Sequence, residues 1–249
     1  KNKKISSRND IEGLKFIFIK CFILFNFNFK IFSFAFVIVD FFFVIVGYVT
    51  FSKLINKYNN NHYQFFDFLK NRFLKIFPLL FLTILISLLV TFLYQTQNEY
   101  YFFVKNSIFS SLFVSNFWFN SNSIDFFAPL SNYIPLLQTW SLSTIFQFYV
   151  ITGLFFFVWK PITINPKILA FLLLLVCLVS FSLTQFGANL KLSYPFIESE
   201  DRFFWFNQPH WASFFNFNSR IWELLLGSIF ACLKFSNFIF FKKINNNRI

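Results

Sequence analysis

With 249 residues, 57% of them hydrophobic and only 13% charged, the chain has too few charged groups to cover a globular surface, which ordinarily carries about 25%. The same apolar excess excludes a disordered chain, and three cysteines are too few for a secreted disulfide scaffold. The net charge of +12 is divided among four separate segments; it reads as membrane topology and attraction to an anionic inner leaflet, not as a nucleic-acid surface.

Apolar stretches recur in chain order. They cover residues 14–29, 31–51, 76–93, 140–159 and 168–183, and a sixth starts near Ile221. A span needs about 20 apolar residues, and lipid leaves no partner for an unpaired backbone group, so each stretch is expected to be a helix. Pro78 is expected in the first turn of the third, where a missing N–H does no harm. The expected fold is all-α: a polytopic transmembrane helical bundle of about six spans, one membrane-embedded domain over residues 1–249. With the N-terminus in the cytoplasm, sixteen Lys and Arg fall in inside segments and five outside. Residues 108–119 are apolar but too short to cross and are read as interfacial or re-entrant. No small-residue cleavage site follows the first apolar run, so a cleaved signal peptide is rejected. The external segments, residues 94–139 and 184–219, are rich in aromatics. Trp118, Trp140, Trp205 and Trp211 fit either an interfacial belt or a sugar-stacking surface.

Ionisable groups inside spans cost roughly 2.5–3.5 kcal/mol at the helix centre on insertion scales and mark functional positions. Asp40 lies mid-span, Glu223 starts the sixth stretch three residues after Arg220, and Lys20 interrupts the first. An ion pair of Asp40 with Lys20 or Arg220, acting as helix–helix glue, is the plainer reading. His62 and His210 are the only histidines; each reads as a loop residue with no acid or Cys at ligand spacing. Cys21, Cys177 and Cys232 read as small packing residues. No metal site is expected.

Six blocks in order resemble the acyltransferase-3 family of O-acetyltransferases. Arg8-Asn9-Asp10-Ile11-Glu12-Gly13-Leu14-Lys15 resembles the family's RPDI(D/E)GLR opening, and the run from Phe36 through Asp40 to Gly47-Tyr48 resembles FVGVDVFFVISGY. The stretch holding Asp67, Arg72, Lys75 and Pro78 is similar to DFYxRRxRRIxP. Leu112 to Phe117 reads LFVSNF, and Leu136-Leu137-Gln138-Thr139-Trp140-Ser141-Leu142-Ser143 with Gln147-Phe148-Tyr149 resembles LLHTWSLSVEEQFY. Ser219 to Gly227 matches SRxWELLxG.

The resemblance implies transfer of an acyl group, usually acetyl, from cytoplasmic acyl-CoA to a hydroxyl of a cell-surface glycan or lipid-linked sugar. It implies no resident cofactor: acetyl-CoA is a co-substrate, and the bilayer and the glycan are the partners. The implied location is the bacterial inner membrane. Arg72 and Lys75, one helical turn apart, are expected to hold the phosphates of CoA. Lys15, Trp140, Ser141, Arg220 and Glu223 are carried over as substrate-binding positions. The family's two histidines fall at Asn26 and Gln138, and its Glu pair at Ile145 and Phe146. Asn and Gln cannot exchange a proton near neutral pH, which leaves Asp40 as the candidate base. Two family glycines are replaced, by Ala35 and Ile38. The resemblance also implies further spans after Ile249, and the start at Lys1 without Met fits a fragment. Two other readings stay open: a non-catalytic scaffold, and a transporter with Asp40 and Glu223 on an ion path.

Overall fold

The computed structural model describes residues 9–26, 37–59, 62–122, 134–159, 166–186 and 214–246, and among them every regular element is a helix. These are α1 (Asn9–Asn26), α2 (Ile38–Asn59), α3 (Phe65–Tyr94), α4 (Gln97–Ser111), α5 (Ser115–Ser121), α6 (Thr139–Val158), α7 (Pro166–Phe186) and α8 (Phe217–Asn246). Against the six expected stretches, three described helices are long and apolar enough to cross a membrane: α2, α3 and α6.

Phe accounts for the α2–α6 seam. Phe43 meets Trp140, Phe51 meets Phe148 and Tyr58 meets Phe156, with ring centroids 5.8, 6.4 and 6.3 Å apart. Residue numbers rise together along this seam, so α2 and α6 run parallel. Rings at 4.5–7 Å favour offset or edge contacts over a face-to-face sandwich, and here they are edge-on or offset-stacked. Helix α3 runs the other way against α6, with Phe68 on Tyr149 and Phe73 on Phe146. Its outward face carries Leu79, Leu82, Leu89 and Leu93 exposed, as lipid contact requires.

Helix α8 lies between α2 and α7, and glycine sets its closest approach to α2. A methyl group at Gly47 would collide with the backbone carbonyl of Leu224, and one at Gly227 would collide with the backbone of Val44 and Tyr48. Only glycine lets two helix backbones touch in this way. On the other side, Ser180 Oγ donates to the Asn218 carbonyl at 2.5 Å and Thr184 Oγ1 to the Ser219 carbonyl at 2.6 Å. Cys177 Sγ lies 3.5 Å from the Trp222 carbonyl, so α7 and α8 are antiparallel.

Two boundaries differ from the sequence expectation. Helix α3 begins at Phe65, well before the apolar stretch at Ile76, and Pro78 therefore lies inside the helix. Hydropathy marks membrane depth, whereas the helix continues through the polar Asp67–Lys75 turns because Phe68 and Arg72 pack on α6. Pro78 leaves the Leu74 carbonyl without its intrahelical donor. The stretch at 108–119 is no single helix: α4 and α5 meet at Phe113, whose φ is 57°. Because α3 and α6 are antiparallel, this pair sits at one end of the bundle, against the start of α6.

A chain of buried hydroxyls fastens that hairpin to α6. Ser110 and Thr139 are 2.8 Å apart, Thr139 donates to Ser115 at 3.1 Å, and Ser115 and Ser143 are 2.8 Å apart. Below them Gln147 Nε2 donates to the Phe113 carbonyl at 2.9 Å and to Asn116 Oδ1 at 2.8 Å. Buried polar groups need such partners, and here they hold Phe113 in a backbone conformation that is rare for a non-glycine residue.

Candidate functional site

Two clusters around an arginine stand at opposite ends of the bundle. At the end that carries the N-termini of α2, α6 and α8, Arg220 bridges two carboxylates. Its Nη1 donates to Asp40 Oδ1 at 3.2 Å and to Glu223 Oε1 at 3.0 Å, and its Nε donates to the Phe214 carbonyl at 3.0 Å. The guanidinium lies over the Phe214 ring at 4.2 Å and near Trp140 at 5.6 Å, a geometry in which ring quadrupoles attract cations. Exposure falls from 34% for the Asp40 side chain to 12% for Arg220 and 1% for Glu223. The cluster thus opens on the Asp40 side and closes at Glu223. Glu223 Oε2 is buried and accepts no hydrogen bond among the described residues.

The register follows from the glycines. Asp40 stands about two turns before Gly47, and Arg220 about two turns before Gly227. Close backbone contact between two parallel helices therefore brings both charged positions to one level. The ion pair chosen from the two expected options is Asp40 with Arg220. Lys20 instead lies 4.4 Å over the ring of Phe16 on its own helix.

At the opposite end, where α2 finishes and α3 starts, Arg72 is half-buried. Its guanidinium lies 4.6 Å from the Tyr149 ring centroid and 5.4 Å from that of Phe68. Tyr149 in turn shares a hydrogen bond with the side chain of Thr50. Among the described residues Arg72 has no carboxylate partner, so its donors are held by ring contact and stay available. Lys75 is exposed one turn on. In the loop beside it, Tyr63 Oη donates to the Gly153 carbonyl at 2.6 Å, and burial pushes this phenol up to about 12.

The structure thus brings together Asp40, Trp140, Arg220 and Glu223, and puts Arg72 and Lys75 elsewhere. Gln138 is exposed in the turn before α6, and Ser141 Oγ donates to its carbonyl at 2.9 Å. Leu136, two residues earlier, has φ 63°. Lys15 and Asn26 belong to α1, but their side chains lie outside the described ones; so do Ala35, Trp205, Trp211 and His210. His62 is exposed in the α2–α3 loop. Among the described residues no three His, Cys, Asp or Glu side chains converge as metal ligands would. Sequence reasoning missed Phe214 and Tyr149 as neighbours of the two arginines. Only the position of each aromatic relative to an arginine distinguishes it from the many other rings.

A helical bundle that draws two carboxylates, one of them fully buried, around a guanidinium beneath an apolar exterior is the architecture of an integral membrane protein with a polar reaction or transport centre. The comparisons narrow this class. The family model described as an acyltransferase domain matches residues 13–244, and the chain belongs to that family, acyltransferase-3. The peptidoglycan O-acetyltransferase of Listeria monocytogenes is 28% identical over 64% of this chain and 26% of its own length. A Bacillus subtilis relative named "Putative peptidoglycan O-acetyltransferase" is 31% identical over 68% of this chain and 27% of its own. A Staphylococcus aureus relative named "Putative O-acetyltransferase" is 27% identical over 94% of this chain and 36% of its own. The chain spans about a quarter to a third of these relatives. No solved structure matches it.

Proposed function

We propose that the protein is an integral-membrane O-acyltransferase that moves an acetyl group from acetyl-CoA to a hydroxyl of a cell-envelope glycan of the peptidoglycan type. The observation that carries this reading is the separation of two chemically opposite centres in one bundle. CoA is polyanionic, and the aromatic-held Arg72 with Lys75 beside it offers donors and positive charge for its phosphates. A glycan offers neutral hydroxyls, which suit the Asp40–Arg220–Glu223 end. Both substrates bind as co-substrates, with no resident cofactor or metal in the reading.

The orientation in this reading has the N-terminus and the Arg72 end in the cytoplasm of a bacterial cell, where CoA is found, and the Arg220 end facing outward. It rests on the sixteen-to-five split of Lys and Arg. Helices α1, α7 and α8 complete about six spans of one domain. Outside labelling should mark Ser199→Cys and spare Asn60→Cys; the reverse pattern would invert the assignment.

Asn26 and Gln138 in place of histidine favour slow turnover and motivate a second reading, a family member that binds but does not catalyse. Transfer of radiolabelled acetyl from acetyl-CoA to glycan in proteoliposomes decides between them. Slow labelling that depends on the protein supports the enzyme. Labelling no greater than in protein-free vesicles leaves the binding scaffold.

A further inference from the structure

The carboxylate cluster has unused hydrogen-bonding capacity that defines its ligand, an inference that rests on the acyltransferase reading above. Arg220 spends Nε on the Phe214 carbonyl and Nη1 on both carboxylates. Its Nη2 bonds no described residue. Glu223 spends Oε1 on Arg220, and its Oε2 is buried with no partner among the described residues. Both ion pairs that these carboxylates make among the described residues end on the same guanidinium. Among the described residues the carboxylates meet no second cation, so the cluster offers no further positive charge to a phosphate or a carboxylate. An acceptor left unmade in a buried setting calls for a donor. The group that supplies a donor to Oε2 and an acceptor to Nη2 at once, without charge, is an alcohol.

We infer that Glu223 and Arg220 form the acceptor subsite, binding one hydroxyl of a neutral sugar, with Glu223 as the base for that hydroxyl. In the reaction the sugar oxygen attacks the carbonyl carbon of the acyl thioester as its proton passes to Glu223 Oε2. The C–O bond forms, and the tetrahedral intermediate collapses with cleavage of the C–S bond. The thiolate takes the proton back from Glu223, giving ester and thiol. Arg220 Nη2 donates to the attacking oxygen and keeps it oriented. Asp40, the more exposed carboxylate, holds Arg220 in place from α2. This assigns the base to a fully buried group on α8 that stands apart from the two positions where histidine is replaced.

The test uses the full chain in lipid nanodiscs, with the neutral N-acetylglucosamine tetramer as probe and acetyl-CoA as donor. Glu223→Gln keeps the shape and one acceptor but cannot take a proton. It should lower acetyl transfer by about 10²–10⁴-fold. Glu223→Leu removes the acceptor while leaving a one-to-one Arg220–Asp40 pair, so the fold is retained. It should weaken tetramer binding by about tenfold or more. Wild-type transfer by Glu223→Gln, or wild-type tetramer affinity in Glu223→Leu, overturns the inference, as does a wild-type chain that does not bind the tetramer. A wild-type chain that binds the tetramer but transfers no acetyl removes the enzyme reading, and the Glu223→Leu affinity still decides the subsite.

Discussion

The two arginine centres of this bundle solve the problem of a cation among apolar helices in opposite ways. Arg220 is held by charge: two carboxylates and a backbone carbonyl take its donors, and the rings of Phe214 and Trp140 only close the assembly. Arg72 is held by rings: Tyr149 and Phe68 lie under its guanidinium, and no carboxylate among the described residues reaches it. The first arrangement consumes most of the arginine's binding capacity and leaves a carboxylate oxygen over. The second leaves the guanidinium's donors available. A ring-held arginine suits an incoming anion, and a carboxylate-held one suits a neutral hydroxyl. Two Arg residues in one membrane domain therefore need not share a role.

The largest expected effect tests the chemistry at the Arg220 end. Restoring histidine through Asn26→His and Gln138→His should raise acetyl transfer by about 10²–10⁴-fold, because imidazole exchanges its proton near neutral pH and a carboxylate is a weaker base. In that background Glu223→Gln should cost less than it does in the native chain. An unchanged rate would mean that these two positions are not where proton transfer limits turnover.

Next comes the ion cluster itself. Arg220→Ala strands two carboxylates, and removing one partner of a buried pair costs about 3–5 kcal/mol. Since Asp40 is a third exposed, the lower end applies. Thermal unfolding in detergent should show it, with a clear gap to Arg72→Ala, which strands no charge. Equal losses for the two variants would break the contrast between a charge-held and a ring-held arginine.

The glycine contact carries the register of the charge cluster. Gly227→Ala and Gly47→Ala each push a methyl group into backbone, and such overpacking costs about 1–3 kcal/mol. Because α8 would shift on α2, each should also loosen the Asp40–Arg220 pair. The expected signature is loss of coupling in an Asp40→Asn, Arg220→Gln double-mutant cycle measured in the alanine background. Full coupling there would show that the ion pair sets its own register.

At the other end the effect is one of affinity. Arg72→Ala with Lys75→Ala should weaken CoA binding by about tenfold and flatten its dependence on salt. Equal affinity in both proteins would leave these residues as topology signals alone.

The smallest effect lies outside both centres and serves as their control. Thr96 donates through its backbone N–H and its hydroxyl to Glu99 Oε2, at 2.9 and 2.8 Å, at the start of α4. These bonds hold the Glu99 carboxyl below its ordinary value of 4.5. A depressed carboxyl stabilises its helix end above the unfolded value and loses that contribution as pH falls through the folded one. Protection of the first-turn amides of α4 against hydrogen exchange, relative to the intrinsic rate at each pH, should therefore fall on acidification, and Glu99→Gln should remove that fall.

How much of this was legible in the residues depends on the range over which each force acts. Apolar runs of span length, the basic asymmetry and the six motif blocks are local in sequence, and they determined an all-helical membrane protein of the acyltransferase-3 family. Asp40, Arg220 and Glu223 were legible one by one, because a charge in an apolar run stands out on its own. Which charge meets which was not: Asp40 had both Lys20 and Arg220 as options. The choice was made by Gly47 and Gly227, whose missing side chains let α2 and α8 touch at one level. The ring partners of Arg72 and Arg220 were hidden for a different reason. Among 48 Phe, 9 Tyr and 6 Trp, local sequence does not tell a ring that faces lipid from one that faces a guanidinium. Helix direction, the start of α3 at Phe65 and the turn at Phe113 likewise came from packing, because contacts far apart in the chain decide how far a helix continues and which neighbour it meets. Sequence determined what each segment is; only the tertiary structure decided what each charge touches, because a residue's own neighbours in the chain fix its helix, while its partner is fixed by how closely two helices approach.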